Sequence, residues 1–205
     1  MSKTYAIKVV PSLAAIPAAT WDGLAMPDPA TANPFVSHAF LSCLEDSGSV
    51  GARSGWAPRY LVLSSDDETI GATPAYLKSH SQGEYIFDHG WADAFERAGG
   101  RYYPKLQIAV PFTPVPGPRF LVGSGPGADE RRQLLARGVV QVAAEMGVSS
   151  AHATFCTSDE WTALGASSSG LDLLQRSDQQ FHWFNDDYAT FDDFLAALSS
   201  RKRKT

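Results

Sequence analysis

Cysteine is scarce in this chain. The 205 residues hold two, Cys43 and Cys156, which is too few for a disulfide framework and gives no CxxC for a metal knuckle or a thiol-redox centre. No apolar run approaches the roughly 18 residues of a membrane span. The N-terminal MSKTYAIKVV lacks the basic-then-apolar pattern of a secretory signal. Also missing are a GxSxG nucleophile elbow, which GASSSG at 165–170 does not match, and a GxxxxGK(S/T) phosphate loop. These absences remove the usual support for hydrolase, nucleoside-triphosphatase and thiol-redox chemistry. They predict a soluble, cytoplasmic protein in a reducing compartment.

Positive charge is also in deficit. Lys and Arg number 17 against 22 Asp and Glu, for a net charge of −5. Four of the 17 form the terminal run Arg201, Lys202, Arg203 and Lys204, so the body before it is more acidic still. Nucleic-acid binding depends on neutralising phosphates, and an acidic body is a poor match for it. What is present suits a packed core: 44% hydrophobic residues, with five Trp, seven Tyr and eleven Phe. The length fits one domain, or one domain and the start of another.

Periodicity and punctuation divide the chain. Thr4–Val10 reads as a strand, Pro17–Leu24 as a short helix, and Ser37–Ser47 as a helix that Ser37 caps and Gly48 closes. Arg59–Ser64 and Thr69–Lys78 form an antiparallel hairpin across an acidic turn, with Pro74 demanding an edge or a bulge. The polar and aromatic stretch 79–100 holds a helix from Trp91 to Ala98. Lys105–Val110 and Arg119–Val122 read as strands on either side of a proline-rich segment. Ala128–Met146 is a helix whose Leu135, Val139, Val142 and Met146 share one face. A strand at Val148–Cys156, a helix at Ser158–Leu164, a strand-like run at Leu171–Phe184 and a helix at Phe191–Ser199 follow. That last helix runs into RKRKT without a cap, so the chain is expected to continue into a second domain. The expected division is 1–185 for a first domain and 186–205 for the opening helix of a second, truncated one.

Three groups of residues can carry chemistry. The loop GSGPG, with Gly123, Gly125 and Gly127, lies between a strand and the longest helix. Free backbone N–H groups and the helix dipole there can hold an anion, or the loop can be a plain strand–helix turn. In FDHGWAD, with His80 and Glu84 upstream, Asp88 and His89 pair an imidazole with a carboxylate, as general-base chemistry requires. The spacing there fits no zinc pattern, so no metal is expected; the bland alternative is a loop tied down by Asp side chains, Asp93 above all, capping the short helix. Alternation places Tyr103, Lys105 and Gln107 on one strand face, where Lys and Gln can orient a carbonyl or a phosphate. The alternative there is a solvated sheet face. His152 and His182 read as satisfied residues within apolar runs.

The runs NPFVSHAFLSCLEDSGSV, PAYLKSHSQGEYIFDHGWADAFERAGGRYYPKLQIAVPFTPVPGPRFL and QFHWFNDDYATFDDFLAALSSRKRKT resemble a bacterial FemAB-like family of N-acyltransferases. That family is related to the enzymes that add amino acids to peptidoglycan cross-bridges. The resemblance implies an α/β (α+β) fold of the GNAT type: a mixed, mostly antiparallel sheet flanked by helices on both faces and splayed near its centre to admit an acyl donor. It also implies transfer of an acyl or aminoacyl group from an activated donor to an amine, and family members carry two such domains in tandem. The superfamily's coenzyme-A loop runs Arg or Gln, two residues, Gly, one residue, Gly or Ala, and Arg119 to Gly123 is one residue too long for it. The donor is therefore acyl-CoA or, as in FemAB-type relatives, aminoacyl-tRNA, which the acidic charge disfavours. The expected polar site is Asp88, His89, Tyr103, Lys105 and Gln107, with Gly123, Gly125 and Gly127 on the donor phosphates. A different class of function is a non-catalytic module of the same fold, binding a cell-wall peptide or amine in a groove lined by Trp56, Tyr76, Tyr85, Trp91 and Tyr102.

Overall fold

The structure is a computed structural model that describes residues 4–86, 88–165, 170–171 and 173–204. Most of GASSSG and one position of the strand-like run 171–184 lie outside the described residues.

Among the described residues seven strands form two sheets that share a hairpin. They are β1 (Tyr5–Val10), β2 (Trp56–Pro58), β3 (Tyr60–Ser65), β4 (Glu68–Thr73), β5 (Ala75–Lys78), β6 (Lys105–Ile108) and β7 (Ala151–Ala153). One sheet runs β1-β3-β4 and the other β2-β5-β6-β7. Each arm of the hairpin crosses between them, the first at Arg59 and the second at Pro74. The proline has no N–H to give to a ladder, yet the Arg59 N–H still reaches the Ala75 carbonyl at 2.7 Å. Pro74 therefore marks a break inside the layer, where the sequence suggested an edge or a bulge. Asp66 and Asp67, both at positive φ (49° and 69°), make the tight turn between β3 and β4. All pairings are antiparallel except β6 with β7. The mixed, mostly antiparallel α/β architecture expected from the resemblance is what the chain forms.

Helices cover both faces, and alternation along β3 shows why. Tyr60 and Val62 face one core, with Trp21 of α1 (Ala18–Ala25) and Leu41 of α2 (His38–Asp46). Leu61 and Leu63 face the other, with Leu135, Val139 and Val142 of α4 (Ala128–Glu145) and Leu164 of α5 (Ser158–Gly165). Each fully buried Leu or Val contributes roughly 1.5–3 kcal/mol. Ser37 caps α2 by accepting the Phe40 N–H at 3.2 Å. The face of α4 read from the sequence is the buried one.

Three strand readings shrink. Val148–Cys156 is strand only at β7, and Arg119–Val122 makes a single bridge, Leu121 to Ala72. Prolines at 114, 116 and 118 strip donors from the approach to that bridge. The described residues of 171–184 form no strand. The helix α3 (His89–Arg97) starts two residues before its expected first turn.

The contacts divide the chain into two units, Met1–Leu174 and Gln175–Thr205. In the second, α6 (Phe191–Ala197) opens with a capping box between Thr190 and Asp193. It ends at Ala197, with Leu198 extended after it, and so does not run on into the basic residues as expected.

Candidate functional site

The second sheet buries charge. In β6 all four residues are buried, so the alternation that puts Leu106 and Ile108 into the α4 core turns Lys105 and Gln107 to the other face. The register sets Lys78 of β5 opposite Lys105, Tyr76 opposite Gln107, and Trp56 of β2 opposite Lys78. Two ammonium groups thus sit side by side, fully buried. Like charges in that relation are destabilising unless neutralised.

The segment between β5 and β6 supplies the neutralising charges. Lys105 Nζ donates to Glu84 Oε2 at 2.8 Å, to Asp88 Oδ2 at 2.6 Å and to Ser81 Oγ at 2.9 Å. Lys78 Nζ donates to the Gln82 carbonyl at 3.1 Å and lies 3.7 Å from the centre of the Trp56 ring. Its distance to Glu84 Oε1 is 3.9 Å, an ion-pair contact too long for a hydrogen bond. Tyr102 donates to Asp88 Oδ2 at 2.8 Å, and the Tyr103 hydroxyl shares a 2.8 Å hydrogen bond with Ser81. The segment folds back because Asp88 opens α3, with the Ala92 N–H on its carbonyl at 3.0 Å, and because the Phe112 N–H holds the Gly83 carbonyl at 3.1 Å. Gly83 has φ 80°, and a Cβ there would strike the Phe112 ring at 2.6 Å, so only glycine permits this approach.

The environment separates the two carboxylates. Burial alone would raise Asp88, but hydrogen bonds from Lys105 and Tyr102 outweigh it and hold the carboxyl down to about 2. Burial raises Glu84, and the neighbouring lysines only partly offset it. Burial likewise pushes the Lys78 ammonium down to about 8, against the opposing pull of Glu84. The two neighbouring carboxyls are thus pushed in opposite directions, the kind of division that acid–base chemistry exploits. Among the described residues four buried side-chain oxygens have no hydrogen-bond partner, Thr73 Oγ1 and three on this sheet face or over it: Glu84 Oε1, Asp88 Oδ1 and Gln107 Oε1. All three are acceptors when the carboxylates are ionised, so the face is matched to a group that donates.

Of the residues singled out in the sequence, Asp88, Tyr103 and Lys105 come together here. Gln107 lies on the same face and donates to Thr154 Oγ1 at 3.1 Å. His89 stands apart, exposed at the start of α3. Asp93 is exposed within α3 and is not its cap; Asp88 holds that position. The reading of a solvated face is wrong, since Lys105 and Gln107 are fully buried. Lys78 and Glu84 are central to the cluster but were not among the expected site residues. Lys78 becomes visible only once the pairing of β5 with β6 is known.

Beyond the β6–β7 ladder, which ends at the Thr154 N–H on the Ile108 carbonyl (3.1 Å), buried Arg119 binds the Thr154 and Val115 carbonyls, both at 2.9 Å. Glu160 accepts the backbone N–H groups of Arg119 and Phe120, each at 2.7 Å. This pair anchors the proline-rich segment.

The glycine loop takes positive φ at Gly123, Gly125 and Gly127. Arg131 ties it down by donating to the Val122 carbonyl at 2.8 Å and to the Pro126 carbonyl at 3.1 Å. The first turn of α4 is acidic, with Asp129 and Glu130. The adjacent cleft of about 260 Å³ is lined by Asp66, Glu68, Glu130 and Arg131, among others. These carboxylates oppose an anion that the helix dipole would otherwise favour. A second, apolar cleft of about 480 Å³ lies within the second unit between Trp183, Tyr188, Phe191 and Phe194, and its Asn185 is engaged by Tyr188. Among the described residues no group of three or more His, Cys, Asp and Glu is placed to hold a metal, and no helix is long and apolar enough to cross a membrane.

The chain is similar, at low identity, to two solved structures. An aminoglycoside N-acetyltransferase, AAC(6')-Iy, solved with CoA, has 14% identity and a TM-score of 0.48, covering 90% of this chain and 97% of its own. The aminoglycoside 6'-N-acetyltransferase AAC(6')-Ih of Acinetobacter baumannii has 12% identity and a TM-score of 0.46, covering 89% and 99%. No curated protein sequence matches. The family model FemAB_like, described as peptidoglycan biosynthesis/recognition, matches residues 12–205. The chain therefore belongs to the FemAB-like family.

Proposed function

We propose that this protein is an N-acyltransferase of peptidoglycan metabolism, and that the buried face around Lys105 is where the acyl group meets its acceptor amine. Membership of a peptidoglycan family supports the setting. The observation that carries the chemistry is the fully buried quartet Lys78, Lys105, Glu84 and Asp88. Buried ion pairs give little net stability, because desolvation consumes most of their attraction. A quartet that also leaves carboxylate oxygens unpaired is better explained by a reaction than by folding. Amine acylation needs a neutral nucleophile and a stabilised oxyanion. A carboxylate of raised pKa serves the first need and a buried ammonium the second, without a covalent enzyme intermediate.

The proposed donor is an acyl thioester of coenzyme A; the acidic body disfavours tRNA. The glycine loop is the proposed rest for the donor phosphates, with its backbone N–H groups and Arg131 working against Asp129 and Glu130. Of the aromatics expected to line a binding groove, Trp56, Tyr76 and Tyr102 are buried in the fold; one observation still favours a binding module, since Tyr85 and Trp91, with Phe95, stand exposed on α3 and the turn before it, where aromatic faces can stack on a ligand. Two measurements decide. Coenzyme A release from acetyl-CoA with a panel of peptidoglycan-derived amines supports the enzyme, and its absence across the panel favours the module. For the loop, Gly125 has φ 89° with open space around it, so Gly125→Ala and Gly125→Asp carry the same backbone strain and differ in charge. Loss of coenzyme A binding in the Asp variant alone places the phosphates there; equal binding removes them.

A further inference from the structure

The geometry points to the aromatic cleft of the second unit as a binding site for a quaternary ammonium group, a cation whose charge is wrapped in carbon. The inference stands apart from the acyl-transfer reading: the cleft lies wholly within Gln175–Thr205, and its test needs no turnover.

The cleft is built around Phe194 of α6. Trp183 stands 5.9 Å from it between ring centroids with 87° between planes, Tyr188 at 5.7 Å and 68°, and Phe191 at 5.8 Å and 39°. Rings set across one another thus line one open hollow of about 480 Å³, in the range of small-ligand sites, about 300–1,000 Å³. Trp183 is 65% exposed and Phe191 70%, so their surfaces are free for a ligand. The face of an aromatic ring is the negative side of its quadrupole and attracts a cation lying within about 6 Å of the centroid. Several rings around one hollow add these attractions.

Local hydrogen bonds hold the rings in place. Asn185 Oδ1 accepts the Tyr188 N–H at 2.9 Å, and its Nδ2 donates to the Tyr188 carbonyl at 3.2 Å. Thr190 Oγ1 accepts the Asp193 N–H at 3.2 Å, and the Asp193 carboxylate accepts the Thr190 N–H at 2.9 Å. A lining ordered in advance spares a ligand the cost of ordering it. The same bonds select the kind of cation. They occupy Asn185 and Thr190, and the other polar groups among the lining side chains are the Tyr188 hydroxyl and the Trp183 indole N–H. A primary ammonium entering here leaves its hydrogen bonds with water and recovers few of them. A quaternary ammonium has no N–H to satisfy, and its methyl groups pack on the rings.

The surrounding charge separates this occupant from a neutral apolar one. Asp186 and Asp187 lie in the turn between Asn185 and Tyr188, and Asp192 and Asp193 between Phe191 and Phe194; all four are exposed. Residues 183–194 contain no Lys or Arg, and the basic residues of this unit are at 176 and 201–204. The carboxylates attract a cation across the short range that salt leaves unscreened.

The test titrates the full chain with choline, with 3,3-dimethylbutan-1-ol, in which carbon replaces the nitrogen, and with ethanolamine, the primary analogue. Binding is read by calorimetry and by the NMR signal of the Trp183 indole N–H, assigned through Trp183→Phe. Choline is expected to bind saturably and to shift that signal, with both analogues weaker by about tenfold or more. Trp183→Leu should weaken choline about tenfold. Asp192→Asn, outside the capping box, should weaken it about two- to threefold and flatten its salt dependence. Equal affinity for choline and its carbon isostere overturns the proposal, because the cleft is then an apolar groove without use for charge. So do tighter binding of ethanolamine, absence of saturable choline binding, and a choline-insensitive dimer by sedimentation that Trp183→Leu dissociates, which would make the cleft an interface between copies.

Discussion

Lys78 is a buried ammonium with one hydrogen bond, and its cost should be measurable. Burial holds it at about 8 in the folded state, against 10.5 for an unhindered lysine. Below pH 8 both states carry the proton, and the native state bears the full desolvation penalty. Between about 8 and 10.5 the unfolded chain binds more protons than the native one, so this group makes stability rise with pH. The urea midpoint of wild type relative to Lys78→Met should therefore climb across that window, and a flat difference would show that Lys78 is not desolvated. Asp88 acts in the opposite range. Its carboxyl is held near 2 against a reference of 3.8, so its contribution is complete above about pH 4 and lost as pH falls through 2. At this scale the sequence was partly legible. Asp88, Tyr103 and Lys105 stood out because their chemistry is unusual for a strand and its approach. Lys78 did not, because its cross-strand neighbour Lys105 is set by register, and Glu84 was read only as a companion of the Asp88–His89 pair, not as the carboxylate that holds Lys105. His89 misled because an imidazole next to a carboxylate in sequence need not share its environment: the turn into α3 points one inward and the other to water.

Elements were easier to read than sites, where burial follows a single period. The α4 face emerged whole from its spacing of Leu135, Val139 and Val142, and α2 from its Ser37 cap. Strands failed where a tertiary partner decides the outcome: the apolar run 148–156 pairs with β6 over only three residues, and Pro74 interrupts what reads as one strand. The contact between α4 and β1 gives a test of packing. Gly138 lies in the helix interior, where Ala is normally about 1 kcal/mol more favourable. Here a Cβ would meet Ile7 at 2.8 and 2.9 Å. Gly138→Ala should thus lose about 1–3 kcal/mol to overpacking, and the loss should shrink when Ile7→Val is added. A gain of the full propensity term in the single variant would mean that β1 yields freely.

On the scale of the whole molecule, two apolar cores fix a hairpin that passes from one sheet to the other, and the second sheet uses its remaining face for charge. The fold was legible because alternation, helical faces and turn residues agree along most of the unit Met1–Leu174. The site was not, because a buried ionic cluster contradicts local patterning: Lys105 looks like an exposed strand position until Ser81, Glu84 and Asp88 of the returning segment reach its ammonium. The substrates are proposed to meet at this closed, charged face. Hydrogen exchange of the full chain with and without a bisubstrate analogue, coenzyme A joined through its acyl carbon to a primary amine, tests it most directly. The expected result is altered protection at Ser79–Asp88 and Lys105–Ile108. Changes confined to the aromatic cleft of Gln175–Thr205, with 79–108 exchanging as in the free protein, would contradict it.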